Sequence, residues 1–194
     1  MSHPAIGTGV IRREPQSTPR KVRGSMQFAI NDKVIHPRHG AGRITGIQQR
    51  GSTDEASSYF VIYIPAQRLT VYVPTQQMEQ VGVRPAISLS KVPRLLDTLK
   101  SAPDCLQDDV EERQKGLWAK LGTGYVVQAA EVVRDLTWRR HESHLTRKDT
   151  EYLTRGREWL AAEMALASDG EISEANKAID AALAAGMESA AKRG

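Results

Sequence analysis

The chain has 194 residues, of which 40% are apolar and 5% aromatic, so it can hold one large domain or two small ones with a mostly aliphatic core. Its single cysteine, Cys105, excludes an internal disulfide and a cysteine-based zinc site, and no apolar run has the length of a membrane span or a secretory signal, so a reducing cytoplasm is expected. The net charge of +4 equals the charge of residues 1–25, so residues 26–194 sum to zero and any nucleic-acid site on them has to be a local patch.

Residues 1–25 mix Pro, Gly, Ser, Thr and Arg without periodicity, which predicts a disordered basic tail. Residues 26–84 then alternate short apolar segments with turn residues, a pattern typical of β structure. The predicted strands are residues 33–36, 42–48, 59–64, 69–73 and 81–83. Such strands joined by tight turns predict a small β-barrel of the SH3-like or Tudor-like type over residues 26–84.

Residues 88–186 change to helical periodicity, and a short link at residues 84–87 marks the boundary. The predicted helices lie near residues 90–99, 108–122, 124–142, 147–167 and 172–185, with Gly186 ending the last one. Thr146 followed by Asp149 resembles a capping box at the start of the fourth. The expected fold is therefore a two-domain α+β protein: the barrel, a bundle of about five helices, and a disordered C-terminus at residues 187–194.

Patterns that would indicate catalysis or a cofactor are weak. The glycines at positions 40, 42 and 46 have the wrong spacing for a dinucleotide loop and precede a strand rather than a helix. His36 and His39 flank Pro37 with no cysteine or carboxylate at ligand spacing, so turn packing is the better interpretation. No nucleophile–base set can be assembled, so we expect no enzyme activity, metal or cofactor.

Two features allow a nucleic-acid interpretation. A basic cluster runs from Arg134 to Lys148, but four acidic residues lie within it or directly after it, which favours a solvated helix end: Asp135, Glu142, Asp149 and Glu151. Trp118, Trp138 and Trp159 occur one per predicted helix; tryptophan can stack on bases, but at least two of the three are expected to share a core.

Several segments together resemble the CarD/CdnL family of bacterial transcription regulators. They are Phe28, Asp32, Val34, His36-Pro37, His39-Gly40, Leu69-Thr-Val-Tyr-Val-Pro74, Val81-Gly-Val83-Arg84, Ala130-Glu-Val-Val-Arg-Asp-Leu136 and Trp138-Arg-Arg140. The resemblance implies a Tudor-like domain that binds the RNA polymerase β subunit, a module also found in transcription-repair coupling factors. It further implies a helical domain that sits on promoter DNA at the upstream edge of the transcription bubble and stabilises the open complex.

The resemblance places the polymerase-binding residues on one strand and one neighbouring loop. They are Arg50, Leu69, Thr70, Val71, Tyr72, Val73 and Pro74. An exposed strand edge would extend a sheet of the polymerase, and Pro74 would end the pairing. Family members usually carry an arginine where this chain has Tyr72, so one interfacial cation is missing.

The implied DNA contact departs further from the family. Val110 stands where the family places a tryptophan that wedges into the minor groove, and Glu112 replaces a cation. The implied DNA-binding residues are Val110, Arg113, Lys115, Arg139 and Arg140. Trp118 aligns with an aliphatic core position and is not expected to substitute for the wedge. Valine has too little area to unstack a base step, so contact with the DNA backbone and minor groove should be weak and of low sequence specificity.

The expected function is that of a cytoplasmic, nucleoid-associated regulator that docks on the polymerase β subunit and modulates open-complex stability, with no membrane or small-molecule partner. One alternative is a polymerase-docking adaptor whose helical domain binds another protein. Another is a stand-alone DNA-binding protein that uses the basic tail.

Overall fold

The computed structural model describes residues 28–50 and 57–192. It shows an antiparallel sheet followed by a group of helices, so the predicted α+β class and the order of its two parts are confirmed. The tail at residues 1–25 and most of the predicted loop at residues 49–58 lie outside the described residues.

Five strands form the sheet in the order β4-β3-β2-β1-β5, and each neighbouring pair is antiparallel. The strands are β1 (Lys33–His36), β2 (Gly40–Arg50), β3 (Ser57–Ile64), β4 (Leu69–Pro74) and β5 (Arg84–Pro85). Strands β1, β2 and β3 each pair with the next strand along the chain, whereas β5 pairs with β1. Strands β4 and β5 therefore lie at the two edges of the described sheet.

The sheet has its own apolar core. Phe60, Ile62 and Ile64 alternate along β3 with more exposed residues, and their side chains are buried together with Ile44 of β2. Phe28 closes this core, with its ring set edge-on to that of Phe60 at a centroid distance of 6.5 Å. The strong period-two pattern of β3 is thus explained by burial of one face.

The predicted strand at residues 81–83 is wrong. Met78–Val81 forms a short helix, α1, which ends at Gly82 in the left-handed region with φ of 84°. Val83 then donates its backbone N–H to the Met78 carbonyl at 2.9 Å, and its side chain enters the sheet core. Glycine adopts this φ without steric cost, so Gly82 is a helix terminator rather than part of a strand.

The remaining helices are α2 (Val92–Lys100), α3 (Val110–Gly122), α4 (Val126–Glu142), α5 (Arg147–Ser168) and α6 (Ile172–Ala191). They enclose a second core of Leu, Val, Ile and Ala side chains, separate from that of the sheet. The capping box is present: Thr146 accepts from the Asp149 N–H at 3.1 Å, and Asp149 accepts from the Thr146 N–H at 3.3 Å.

Helix α6 continues five residues beyond Gly186, so the predicted end there is wrong, and so is the predicted disorder at residues 187–191. A Cβ atom at position 186 would lie 2.7 Å from the backbone oxygen of Lys100, at the end of α2. The glycine therefore permits a close approach of two helices and does not terminate one. None of the described helices has the length and apolar character to cross a membrane.

Polar contacts join the sheet to the helices. Arg84 donates to both carboxylate oxygens of Glu163 at 2.8 and 2.7 Å, and also to the Gly124 carbonyl at 2.6 and 3.0 Å. The side chain of Glu163 is only 4% exposed. On α5's C-terminal side, Asp169 accepts from Lys33 at 2.8 Å and from Arg43. We call the five residues whose side chains make these ion pairs the domain junction: Lys33, Arg43, Arg84, Glu163 and Asp169.

Candidate docking edge and nucleic-acid interface

Strand β4 is an open sheet edge. It pairs with β3 from Leu69 to Pro74, and in the part of the chain that the structure describes no strand pairs with its other side. Alternate backbone N–H and C=O groups of an edge strand point away from the sheet and are free to pair with another strand. This edge therefore has the geometry needed to accept a strand from a partner.

The side chains of β4 are divided between the core and the surface. Val73 is buried in the sheet core and Val71 packs against that core, so both anchor the strand. Leu69, Thr70 and Tyr72 are exposed. Of the β4 residues assigned to polymerase binding, Val73 can thus contribute only its backbone.

The structure brings Arg50 and Tyr72 together. The guanidinium carbon of Arg50, at the end of β2, lies 4.0 Å from the centroid of the Tyr72 ring on β4. A cation over an aromatic face at an exposed site contributes about 0.5–1 kcal/mol. A guanidinium is therefore held over the exposed ring of Tyr72 at this edge of the sheet.

The start of α3 is acidic. Val110 is its first residue and is 46% exposed. Asp109 caps the helix by accepting the Glu112 N–H at 2.9 Å, and Glu111 and Glu112 lie in the first turn. These carboxylates suit the positive end of the helix dipole and repel phosphate.

Arg113 is buried, and its assignment to the DNA surface is contradicted. Its side chain is 2% exposed, donates to Asp149 of α5 at 3.1 Å, and also donates to the carbonyls of Gln107 and Asp108 at 3.0 and 3.1 Å. Asp149 is fully buried. Because buried charges require such partners, Arg113 fixes the loop before α3 to the start of α5 and is not available to phosphate.

The other assigned cations lie on two helices. Lys115 is exposed on α3, whereas Arg139 and Arg140 lie in the last turn of α4, where Arg140 is exposed and Arg139 half-buried. Cations at a helix C-terminus are stabilised by the dipole whether or not DNA is bound. Arg134, the first residue of the basic cluster, is buried against Asp135 and does not add to a surface field.

Arg134 belongs to a partly buried charge network that links α4 to α3. It donates to Asp135 at 2.7 Å, and Lys120 of α3 pairs with Glu131 and Asp104 at 2.9 and 3.1 Å. Burial raises the pKa of the Asp135 carboxyl, against the opposing effect of Arg134. A hydrogen bond from Lys120 lowers the pKa of Asp104. The network holds the helices together rather than forming a site for a ligand.

Trp118 is not a core residue, which corrects the expectation drawn from its alignment with an aliphatic core position. Trp159 packs against the helical core, but Trp118 is 51% exposed. Buried residues of α3 recur at Arg113, Leu117 and Leu121, and position 118 lies one residue off this face.

Trp118 instead belongs to a row of aromatic and cationic side chains that the sequence analysis did not identify. Its ring lies 5.9 Å from that of Tyr152, and the Arg155 guanidinium is 5.4 Å from the Trp118 ring and 4.8 Å from the Trp159 ring. The Lys148 ammonium is 5.9 Å from the Tyr152 ring. We call these five residues the aromatic–cation stripe. The positions 148, 152, 155 and 159 fall on one helix face, and this spacing is the signal that could have revealed the stripe.

The two histidines of the β1–β2 turn lie close together, with ring centroids 4.7 Å apart. His36 accepts the Arg38 N–H at 3.2 Å, and burial, with His39 and Arg38 adding to it, lowers the pKa of His36. Within the described ranges no group of three His, Cys, Asp or Glu side chains is placed to hold a metal ion.

Comparison with known proteins agrees with this geometry. Residues 28–87 match the sequence model of the CarD-like/TRCF RID domain, and residues 94–180 match that of the CarD C-terminal domain. The chain is also similar to the putative transcription factor YdeB of Bacillus subtilis (strain 168), with 28% identity over 137 residues that cover 71% of this chain and 90% of the relative.

Proposed function

The chain belongs to the CarD/CdnL family of bacterial transcription regulators, and from that premise we propose that it docks on the RNA polymerase β subunit through β4 and modulates the stability of the promoter open complex. It is a CarD-like transcription factor, and we propose that it acts in the cytoplasm at the nucleoid, without catalysis of its own. We propose that residues 26–84 form the domain that docks on polymerase and that residues 88–186 form the domain that faces DNA.

The observation that carries the docking proposal is the open edge of β4. A partner strand that adds to this edge would form backbone hydrogen bonds, while Leu69, Thr70 and Tyr72 supply side-chain contacts beside it. Arg50, held over Tyr72, adds a cation that a carboxylate on the partner could meet.

A pull-down with purified bacterial RNA polymerase tests the docking. Wild type should be retained at moderate salt, and Tyr72→Ala should lose most of its retention because it removes both the exposed ring and the support of Arg50. The matched control is Tyr125→Ala, an exposed tyrosine of the helical part. If wild type is not retained, or if both variants behave alike, the docking proposal fails.

We propose that promoter DNA is contacted more weakly than in relatives, chiefly by Lys115, Arg139 and Arg140 near the minor groove and backbone. Val110 is exposed at the start of α3, where the resemblance places the wedge, but four carboxylates surround it in sequence. The proposed contribution to the open complex therefore depends on few phosphate contacts.

A second candidate is an adaptor whose helical part binds another protein. The acidic start of α3 favours it, because a carboxylate-rich helix end repels DNA. A third is a stand-alone DNA-binding protein that uses the basic tail, which lies outside the described residues. Duplex binding in the absence of polymerase that disappears on deletion of residues 1–25 would favour this third candidate.

A further inference from the structure

We propose that the aromatic–cation stripe, Lys148, Tyr152, Arg155 and Trp159 of α5 with Trp118 of α3, binds single-stranded DNA. In this proposal a base stacks on the exposed indole of Trp118, and phosphates lie against Arg155, Lys148 and the neighbouring Lys115. The site differs from the start of α3, where Val110 lies eight residues, or about 12 Å of helix, before Trp118.

The indole of Trp118 is held by neighbouring side chains and remains half exposed. The ring of the buried Tyr152 lies 5.9 Å away with the two ring planes at 32°, and the Arg155 guanidinium lies over the indole at 5.4 Å from its centroid, while half of the Trp118 surface faces solvent. An exposed aromatic ring that its neighbours hold in place offers a stacking surface, and nucleobases stack on such rings with little dependence on sequence.

The charge around the indole is positive. In the part of the chain described, none of the ion pairs involves Lys115, Lys148 or Arg155. Two carboxylates face the same groove, and one of them, Glu151, already accepts from Arg147 at 3.1 Å. The groove therefore has three cations and one uncompensated carboxylate, Glu111. Its net positive charge is complementary to the negative charge of a phosphodiester chain.

The shape of the surface favours one strand over two. Residues of α3 and α5, Trp118 and Tyr152 among them, line a groove of about 620 Å³. A groove of this size between two helices fits one small ligand, such as an unstacked nucleotide. A base-paired helix keeps its bases stacked inside and could present only its backbone to Trp118.

This binding does not require docking on polymerase, so it is tested with the free full-length protein. The probes are a fluorescein-labelled oligothymidine and a labelled duplex of the same length, followed by fluorescence anisotropy over a salt series. Trp118→Ala should weaken oligothymidine binding by about tenfold, whereas Trp118→Phe should retain most of the affinity. Arg155→Gln should reduce the slope of log affinity against log salt by about 0.7, the value for one phosphate contact on a single strand.

The matched control is Arg94→Gln, an exposed arginine on α2 that lies outside the stripe and outside the groove. It should change affinity by no more than about twofold. Unchanged oligothymidine binding by Trp118→Ala would overturn the proposal. An equal loss of affinity for the duplex probe in the same variant would also overturn it, because it would assign the surface to duplex DNA. Because Trp118→Ala should still be retained by polymerase, failure here and failure of the docking proposal give different results.

Discussion

The ion pair between Arg113 and Asp149 is almost completely shielded from water. Removal of one partner from a pair of this kind leaves an uncompensated buried charge, which costs far more than the pair itself contributes. The pair therefore makes the loop before α3 and the start of α5 depend on each other.

We expect Arg113→Ala to lower the free energy of unfolding by about 3–5 kcal/mol, measured by urea denaturation. The control is Arg147→Ala, which removes an exposed pair with Glu151 four residues on and should cost no more than about 0.5 kcal/mol. A stable Arg113→Ala protein with weaker DNA binding would restore Arg113 to the DNA surface.

The residues of the candidate sites were only partly predictable. The position of β4 follows from its strand pattern, because a short alternating segment is a local feature. Arg50 was assigned to the loop after the second strand, whereas it is the last residue of β2. The burial of Arg113 was not predictable, because its partner Asp149 is 36 residues away. Trp118 was misplaced because its alignment with an aliphatic position of the family assigned it to the core, whereas it lies one residue off the buried face of α3.

At the scale of elements, glycines had two different roles that the sequence does not distinguish. Gly82 ends α1 with a positive φ, whereas Gly186 lies within α6 where α6 touches the end of α2. The longer elements, such as β3 and α5, were predicted well because many residues contribute to their period. A segment of three residues, 81–83, carries no period, and its assignment failed.

Gly186→Ala should destabilise the protein by about 1–3 kcal/mol, because the new Cβ would overlap the backbone of Lys100. Gly116→Ala in α3 is the matched control, since a Cβ there meets no atom within 4 Å. The control should stabilise by about 0.5–1 kcal/mol. Thermal unfolding followed by circular dichroism measures both, and equal shifts in the same direction would show that α6 can move away from α2.

Val110→Trp should strengthen promoter contact if the start of α3 reaches the bubble. A stacked or wedged indole adds roughly 1 kcal/mol or more, so open-complex lifetime should increase about fivefold. Leu89→Trp, at another exposed apolar position, serves as the control. An unchanged lifetime for Val110→Trp would favour the adaptor function.

At the scale of the whole molecule, the domain junction sets how the sheet meets the helices. Arg84 contacts Glu163 on α5 and the Gly124 carbonyl before α4, so one side chain of β5 touches two parts of the helical bundle. Asp169 adds contacts to β1 and β2 through Lys33 and Arg43. None of these pairs is local in sequence, so the junction was beyond prediction from periodicity.

The contribution of Asp169 should depend on pH. Its hydrogen bond from Lys33, followed by that from Arg43, lowers the pKa of the carboxyl below its ordinary value of 3.8. A lowered pKa in the folded state means that the contribution is present above pH 3.8 and is lost as the pH falls through the folded-state value. The difference in Tm between wild type and Asp169→Asn should therefore exist at neutral pH and shrink in acid.

Asp97→Asn is the control, because Asp97 pairs only with Lys100 within α2. A Tm difference between wild type and Asp169→Asn that is independent of pH would show that the carboxylate charge is not what matters at the junction.

The bidentate contact of Arg84 with Glu163 has a consequence for how affinities should be interpreted. This contact fixes the orientation of the helical bundle relative to β5 before any partner binds. Docking of the sheet on a partner would therefore confine the helices to a small volume. Their local concentration there would reach the millimolar range expected of short tethers, with little further loss of rotational freedom. Contacts with DNA that are too weak to detect with the free chain would then form in the assembled complex. The affinity of the free chain for DNA would therefore underestimate how much these contacts contribute to the complex.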